Sequence, residues 1–502
     1  MDFRKLLFFC LFLASTLPGN ANTTQRRAIA AQQLQVSTPS TSPAQRLVEE
    51  FISLINSGDR VGARSFIERS YTSAALAEEA AAERVNAVSE LHDKTRGLET
   101  RSLRETTPGT WTAIVHLKLT GQWARFTFEL ELQPALRIKS FDWDYSAAPR
   151  GVAPPPRKLS EREIVRELDA FMRKMADADV FSGAVLLAKD GKVLFKKAYG
   201  EADKNSGEPN RTDTKLNLAS LNKMFTAVAI TQLVEQGKLS FDDPLSKFLP
   251  DFPNREAAQK IKIKHLLTHT SGLGDLFNER WYASSRERFR KVDDYLELVK
   301  NEAPAFEPGT RRRYSNTGYM VLGKVVEIIT GQSYYDYVRE NIYRRSGMAS
   351  TDAYELDRVN KNLAIGYDKL YTDNGIVFRN NLFLHSVRGT PAGGGFSTVE
   401  DLLRFVLALR AGKLVGSDYV KTMTSPKPEL NSPNYGYGFG VIPEDGIVAH
   451  SGGAEGIGSH LEMTDDGYTF VVLSNYGEAM SPITLKIREL VISGKSRTQG
   501  VR

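Results

Sequence analysis

Ser220 and Lys223 lie three residues apart in "LASLNKMF" (218–225), ahead of "TAVAITQLVEQG". That following run is apolar on nearly every side and reads as a buried helix ended by Gly237. A residue three positions on returns to the same helix face, which sets Lys223 beside Ser220. A lysine in the first turn of a buried helix is penalised twice, by loss of hydration and by the positive end of the helix dipole. Both penalties favour the neutral amine, and a neutral amine can take a proton from a serine. The helix N-terminus also offers N–H groups to a developing oxyanion.

Two further patterns fit the same chemistry. Tyr314 and Asn316 are two apart in "YSN", so in an extended segment they point the same way. A tyrosine becomes a usable base only beside a cation, and Lys223 is one candidate. Asn316 could hold both Lys223 and a substrate carbonyl. In "VAHSGGAEG" (448–456) a short apolar strand leads into His450, Ser451, Gly452 and Gly453. Small residues there let a substrate backbone lie along the strand edge, and the N–H of Gly453 could be a second oxyanion donor. Each pattern alone also describes a capped helix, a turn or a Gly-rich hairpin. Ser-x-x-Lys should arise by chance about once or twice in a chain of this length.

The elements that must position these residues are legible from periodicity. Leu47, Phe51, Leu54 and Ile55 mark a helix, with two more helical stretches through about residue 95. Strand-like runs follow at 112–119, 124–132 and 136–145, with Phe126, Phe128, Leu130 and Leu132 alternating on one face. Residues 147–158, "AAPRGVAPPPRK", make a Pro-rich spacer. Ser160 and Glu163 form a capping box before a helix that carries Ile164, Val165, Leu168, Phe171, Met172 and Met175 on one face. A hairpin (183–200) turns at Asp190-Gly191, and a strand (468–477) and a helix (482–493) close the chain.

Taken together, Ser-x-x-Lys, Tyr-x-Asn and His-x-Gly at this wide spacing resemble the penicillin-recognising active-site-serine hydrolases. The resemblance is to the branch of class C β-lactamases, D-Ala-D-Ala carboxypeptidases and related esterases. "FSGAVLLAKDGKVLFKKAYG" (181–200), "IKHLLTHTSGL" (263–273), "YSNTGY" (314–319) and "GGGFSTVEDLLRF" (393–405) support it, and it covers roughly 160–495. It implies an antiparallel sheet built from both ends of the domain, flanked by helices, with a helical subdomain inserted between them. It implies Ser220 as nucleophile and Lys223 as its base. Tyr314 would be the proton shuttle and Asn316 the orienting residue, and the N–H groups of Ser220 and Gly453 would form the oxyanion hole. His450 and Ser451 stand where the β-lactamases have Lys-Thr. A largely neutral histidine in that place predicts weak carboxylate recognition and poor β-lactam hydrolysis.

The segment 44–146 resembles the nuclear transport factor 2-like cone fold in element order and size. The expected architecture is therefore an α+β cone-like domain (44–146), a linker (147–159) and a β-lactamase-like α/β domain (160–495). A signal peptide (1–21) and a flexible leader (22–43) precede these, and a tail (496–502) follows. The signal reading rests on Arg4 and Lys5, the apolar run "LLFFCLFLASTL" and the small residues Gly19-Asn20-Ala21. Export to a periplasm or beyond is the expectation, with no transmembrane helix in the mature chain. The only cysteine, Cys10, lies within that signal, so the mature chain would have no disulfide or thiol nucleophile.

A net charge of +6 over 502 residues carries no concentrated basic face of the kind nucleic acid needs. Arg311, Arg312 and Arg313 read as a solvated edge, and His116 as a packed or surface residue. His265 and His269 have zinc-like spacing but lack the glutamate of H-E-x-x-H, so neither metal nor cofactor is expected. The expected function is an exported serine hydrolase that cleaves an ester or amide through an acyl-enzyme. The partner is a small-molecule or peptide substrate, with cell-wall-derived D-amino-acid peptides among the candidates. A non-catalytic penicillin-binding sensor and a true β-lactamase are the alternatives.

Overall fold

The computed structural model describes residues 41–149, 151–152, 157–299 and 303–492. The expected signal (1–21), nearly all of the leader, part of the linker and the tail (496–502) lie outside these residues. The described chain divides by contact into one unit on 158–369 and 378–492, and another on 41–157 and 370–377.

In the smaller unit Ser42 accepts a hydrogen bond from Gln45 N and starts α1 (Pro43–Ser57). The buried stripe of α1 is Val48, Phe51, Ile52 and Ile55, and Leu47 and Leu54 lie at its margin. Helices α2 (Arg60–Ser70), α3 (Ser73–Glu78) and α4 (Ala81–Thr95) follow. Then come four antiparallel strands paired in chain order: β1 (Leu98–Thr107), β2 (Thr110–Leu117), β3 (Trp123–Glu131) and β4 (Arg137–Ser146). Ala124, Phe126, Phe128 and Leu130 of β3 are buried, whereas Leu132 falls past the strand and is exposed. The sequence reading missed β1. It is exposed along almost its whole length, so no apolar alternation marks it.

The larger unit opens with the expected capping box at Ser160 and Glu163. Helix α5 (Glu161–Asp177) buries Ile164, Leu168, Phe171, Met172 and Met175. β5 (Gly183–Lys189) and β6 (Lys192–Tyr199) form the expected hairpin. Four more strands come from the far end of the chain: β7 (Gly440–Ile442), β8 (Ile447–Ala454), β9 (Ile457–Thr464) and β10 (Tyr468–Ser474). The sheet order is β7-β8-β9-β10-β5-β6, antiparallel throughout. Leu186 of β5 therefore pairs with Val471 of β10, and the two ends of the unit close one sheet.

Helices α6 (Asn222–Glu235) and α7 (Asn316–Thr330) lie between those ends in sequence and pack on each other. Helix α8 (Val399–Arg410) packs on β5 and β10, and α9 (Met480–Ile492) packs on β10 and α5. Every residue of α6 from Asn222 through Leu233 is buried, as its all-round apolar sequence requires. No helix among the described residues is long and apolar enough to cross a membrane.

Candidate active site

Ser220 occupies a single 3₁₀ turn, Ala219–Leu221, that runs straight into α6. The turn is strained: Ala219 has φ +42°, a region that costs a non-glycine residue about 1–3 kcal/mol. Neighbouring backbone holds it there. Leu218 N donates to Gly395 O at 2.7 Å and Gly394 N to Ala219 O at 3.1 Å. Ser459 Oγ donates to Leu218 O at 2.7 Å, and Ala219 N donates to Asn217 Oδ1 at 2.8 Å. Two glycines make room for it. A Cβ at Gly393 would stand 2.9 Å from Ala219 O, and one at Gly452 would stand 2.6 Å from Ser220 N.

Two candidate proton carriers meet at Ser220 Oγ. Tyr314 Oη lies 2.7 Å away and Lys223 Nζ 3.2 Å away. Lys223 also donates to Asn316 Oδ1 at 2.7 Å and to Ala392 O at 2.5 Å, and its residue is fully buried. Both of those partners are oxygens that only accept, so they fix two N–H bonds of the amine. The direction left over faces Ser220. A protonated lysine points a hydrogen there, whereas a neutral one points its lone pair at the serine hydroxyl. Asn316 is kept in this orientation because its Nδ2 donates to Asp275 Oδ2 at 2.9 Å.

The "YSN" segment is extended at Ser315 (φ −143°, ψ 115°) and enters a helix at Asn316. Ser315 caps α7 by accepting from Gly318 N at 3.1 Å, and Asn316 is the first helical residue. Tyr314 and Asn316 still converge on Ser220 and Lys223, because the cap turns the chain between them. His269 stacks on the Tyr314 ring with centroids 4.4 Å apart, and its Nδ1 accepts from Ser315 N at 3.1 Å.

His450 is buried. Its Nδ1 lies 2.7 Å from Ser451 O and its Nε2 lies 2.9 Å from Tyr435 Oη. A carbonyl oxygen only accepts, so Nδ1 carries the proton and Nε2 takes the tyrosine's hydrogen. Burial, and then the charge of Lys223, lower the His450 pKa to about 3. The ring is neutral at any physiological pH, and both of its nitrogens are occupied. Ser451 is half-buried, Gly452 backs onto Ser220, and Gly453 is exposed, with Ile457 O 3.9 Å from where a Cβ would stand.

Residues 168–489 match the family model described as "Beta-lactamase". The chain belongs to the β-lactamase family. It is 31% identical over 358 residues to penicillin-binding protein 4* of Bacillus subtilis, covering 66% of this chain and 76% of that protein. The crystal structure of a penicillin-binding protein from Bacillus halodurans superposes with a TM-score of 0.57 at 30% identity, over 66% of this chain and all of that one. A D-stereospecific amidohydrolase from Streptomyces superposes with a TM-score of 0.52 at 26% identity, over 66% of this chain and 98% of that one. The chain is thus homologous to penicillin-binding-protein-like serine hydrolases.

Sequence reasoning missed several supports of this β-lactamase-family site. Asp275, Ala392 and Tyr435 carry no motif of their own, and only the folded chain brings them to Asn316, Lys223 and His450. His269 was read only for its spacing from His265 and as part of the 263–273 stretch. His265 is also buried, its Nδ1 accepts from Lys262 N at 3.2 Å, and burial lowers its pKa to about 4. Among the described residues no group of His, Cys, Asp or Glu side chains could hold a metal ion. The arginine run needs a correction. Arg311 and Arg313 are exposed, but Arg312 is half-buried, with its guanidinium over the Tyr435 ring at 4.9 Å.

Proposed function

We propose that this chain is an exported serine hydrolase that cleaves an ester or amide bond through an acyl-enzyme on Ser220. The observation that carries the reading is the meeting of Lys223 Nζ and Tyr314 Oη at Ser220 Oγ, at 3.2 and 2.7 Å. In this reading neutral Lys223 takes the Ser220 proton as Oγ bonds to the substrate carbonyl carbon. The carbonyl oxygen gains charge against the N–H groups of Ser220 and Gly453. Tyr314 passes a proton to the leaving nitrogen or oxygen as its bond to carbon breaks. Water then attacks the acyl carbon as the Tyr314 tyrosinate takes its proton, and protonated Lys223 returns a proton to Ser220 Oγ as the acyl–oxygen bond breaks, which restores Ser220, Lys223 and Tyr314 to their starting states. Asn316 orients Lys223, and residues 44–146 form an accessory domain joined by the 147–159 linker.

Substrates with a D-amino-acid acyl part fit the reading. The Streptomyces relative is described as a D-stereospecific amidohydrolase, and the Bacillus relatives as penicillin-binding proteins. Neutral His450 argues against a β-lactamase proper, since it supplies no fixed charge for a β-lactam carboxylate.

The test incubates the mature protein and Ser220→Ala with a p-nitrophenyl ester, a D-Ala-D-Ala peptide and a chromogenic cephalosporin. Turnover of the ester or peptide that falls by ~10³-fold or more in Ser220→Ala supports the hydrolase. A stoichiometric burst without turnover supports a sensor instead. No Ser220-dependent labelling by any of these, or by a fluorophosphonate, overturns the reading.

A further inference from the structure

His269 holds Tyr314 in three ways. Its carbonyl accepts from Arg313 N at 3.0 Å, and its ring Nδ1 accepts from Ser315 N at 3.1 Å. The residues on either side of Tyr314 are therefore both bound to His269. Its imidazole also stacks on the Tyr314 ring, with centroids 4.4 Å apart and planes 30° from parallel. No step of the reaction proposed above uses His269.

Holding Tyr314 this way is unfavourable for His269 itself. Its φ of +62° lies in the left-handed region, which strains a residue that has a Cβ. A backbone N–H only donates, so Nδ1 carries no proton and the neutral ring keeps its hydrogen on Nε2. Nε2 is buried with no hydrogen-bond partner among the described residues, and a buried donor without an acceptor is also penalised. The residue is 1% exposed. The rings of Tyr319 and Tyr435 lie against its imidazole at 5.1 and 5.0 Å and leave it no room to swing away from Tyr314. Strain and an unmet donor meet at one residue behind the site, and strain of this kind gathers where a neighbouring group must be held in place.

The group in need of placing is the Tyr314 hydroxyl, 2.7 Å from Ser220 Oγ. Such a bond weakens steeply with distance and angle, and a tyrosine ring turns about two side-chain bonds. The hydrogen bonds at Arg313 and Ser315 fix the backbone that carries the ring, and the stacked imidazole fixes its plane.

We propose that His269 is a positioning residue that sets the Tyr314 hydroxyl for proton transfer to the leaving group. The effect on rate rests on the serine-hydrolase reading, while the placement of Tyr314 can be measured without it.

Two esters of one acyl group test the proposal, p-nitrophenyl butyrate and ethyl butyrate. Nitrophenolate leaves without a proton, whereas the ethoxide oxygen must be protonated as its bond to carbon breaks. For both esters kcat/KM reports acylation alone. His269→Ala should lower kcat/KM for the ethyl ester by ~10–100-fold and for the nitrophenyl ester by less than ~3-fold. A general loosening of the site would lower both alike. Tyr314→Phe should show the same split, and adding His269→Ala to it should cost the ethyl ester less than ~3-fold more, because both changes remove one function. The crystal structure of His269→Ala should show Tyr314 Oη beyond hydrogen-bond distance of Ser220 Oγ, or its ring in more than one rotamer. Should His269→Ala fail to fold, His269→Asn replaces it. Asparagine tolerates a positive φ and offers an oxygen to Ser315 N, so only the stacked ring is lost, and the split should remain at ~10-fold.

Equal losses for the two esters overturn the proposal. Losses that simply add in the double variant, or an undisturbed Tyr314 in the crystal structure, overturn it as well. Absence of any Ser220-dependent turnover in wild type defeats the hydrolase reading instead, and the crystal structure still decides whether His269 places Tyr314.

Discussion

The two sides of the Ser220 site hold their buried polar groups in different ways. On the α6–α7 side, buried Lys223 is surrounded by oxygens from Ser220, Asn316 and Ala392, with the Asp275 carboxylate behind Asn316. On the β8–β9 side, burial lowers the pKa of both His450 and His460, and the buried Glu462 carboxylate behind His460 is met by Arg488. A buried charge persists where an opposite charge or converging hydrogen bonds meet it. Glu462 has such a partner in Arg488, whereas oxygens around Lys223 orient the amine whether it carries two hydrogens or three.

The largest effect should come from removing the Lys223 amine. Lys223→Met should lower ester hydrolysis by ~10³-fold or more while leaving a folded protein. Near-wild-type rates in that variant, measured beside circular dichroism, would remove Lys223 from the reaction. Next comes the support behind it. Asp275→Ala frees the Asn316 amide to turn over, and kcat should drop ~10–100-fold. An unchanged kcat would mean that Asn316 does not need the carboxylate to hold Lys223.

Placing a charge at His450 should have a smaller effect. His450→Lys puts an ammonium beside Tyr435 with no carboxylate to meet it, so the melting temperature should fall. An ester substrate that carries a carboxylate on its leaving group should gain ~10-fold in kcat/KM relative to the same ester with a carboxamide there. No gain would mean that β8 does not face the leaving group.

The smallest expected effect is on stability against pH. Burial depresses His450 to about 3 and His265 to about 4, against ~6.5 for an unfolded histidine. Below 6.5 the unfolded chain binds protons that the folded chain does not. These residues therefore contribute fully above pH 6.5 and progressively less as pH falls toward 3–4. The melting temperature should already decline between pH 6.5 and 5, before ordinary carboxylates titrate, and His265→Gln should make that decline shallower. A flat melting temperature over this window would contradict the neutral state of the buried rings.

How much was legible depended on how local each signal was. The helix behind Ser220 could be read from "TAVAITQLVEQG" because a helix buried all round must be apolar all round. The Ser160–Glu163 capping box spans four residues and could be read directly. β1 was invisible because its side chains meet water along nearly its whole length. The "YSN" segment was legible as a polar lead into a helix, but not the N-cap at Ser315 that ends its extended stretch. Glu462 within "IGSHLEMT" was a signal left unused. An acidic residue in a strand buried at every position needs a partner, and the sequence did not say that Arg488 would be it.

By itself the sequence determined the residue types, many of the helices and strands, and the spacing of Ser220, Lys223, Tyr314, Asn316 and His450. Those features rest on periodicity and on chemistry within a few residues. Tertiary structure decided which groups meet. The pairing of β5 with β10 closes the sheet, and the packing of α6 against α7 brings Asn316 to Lys223. The alignment of β8 with β9 sets His460 opposite Ser451. Hydrogen-bond direction and burial decide protonation, and both depend on atoms far apart in the chain. The polarity of the site therefore became readable only once the chain was folded.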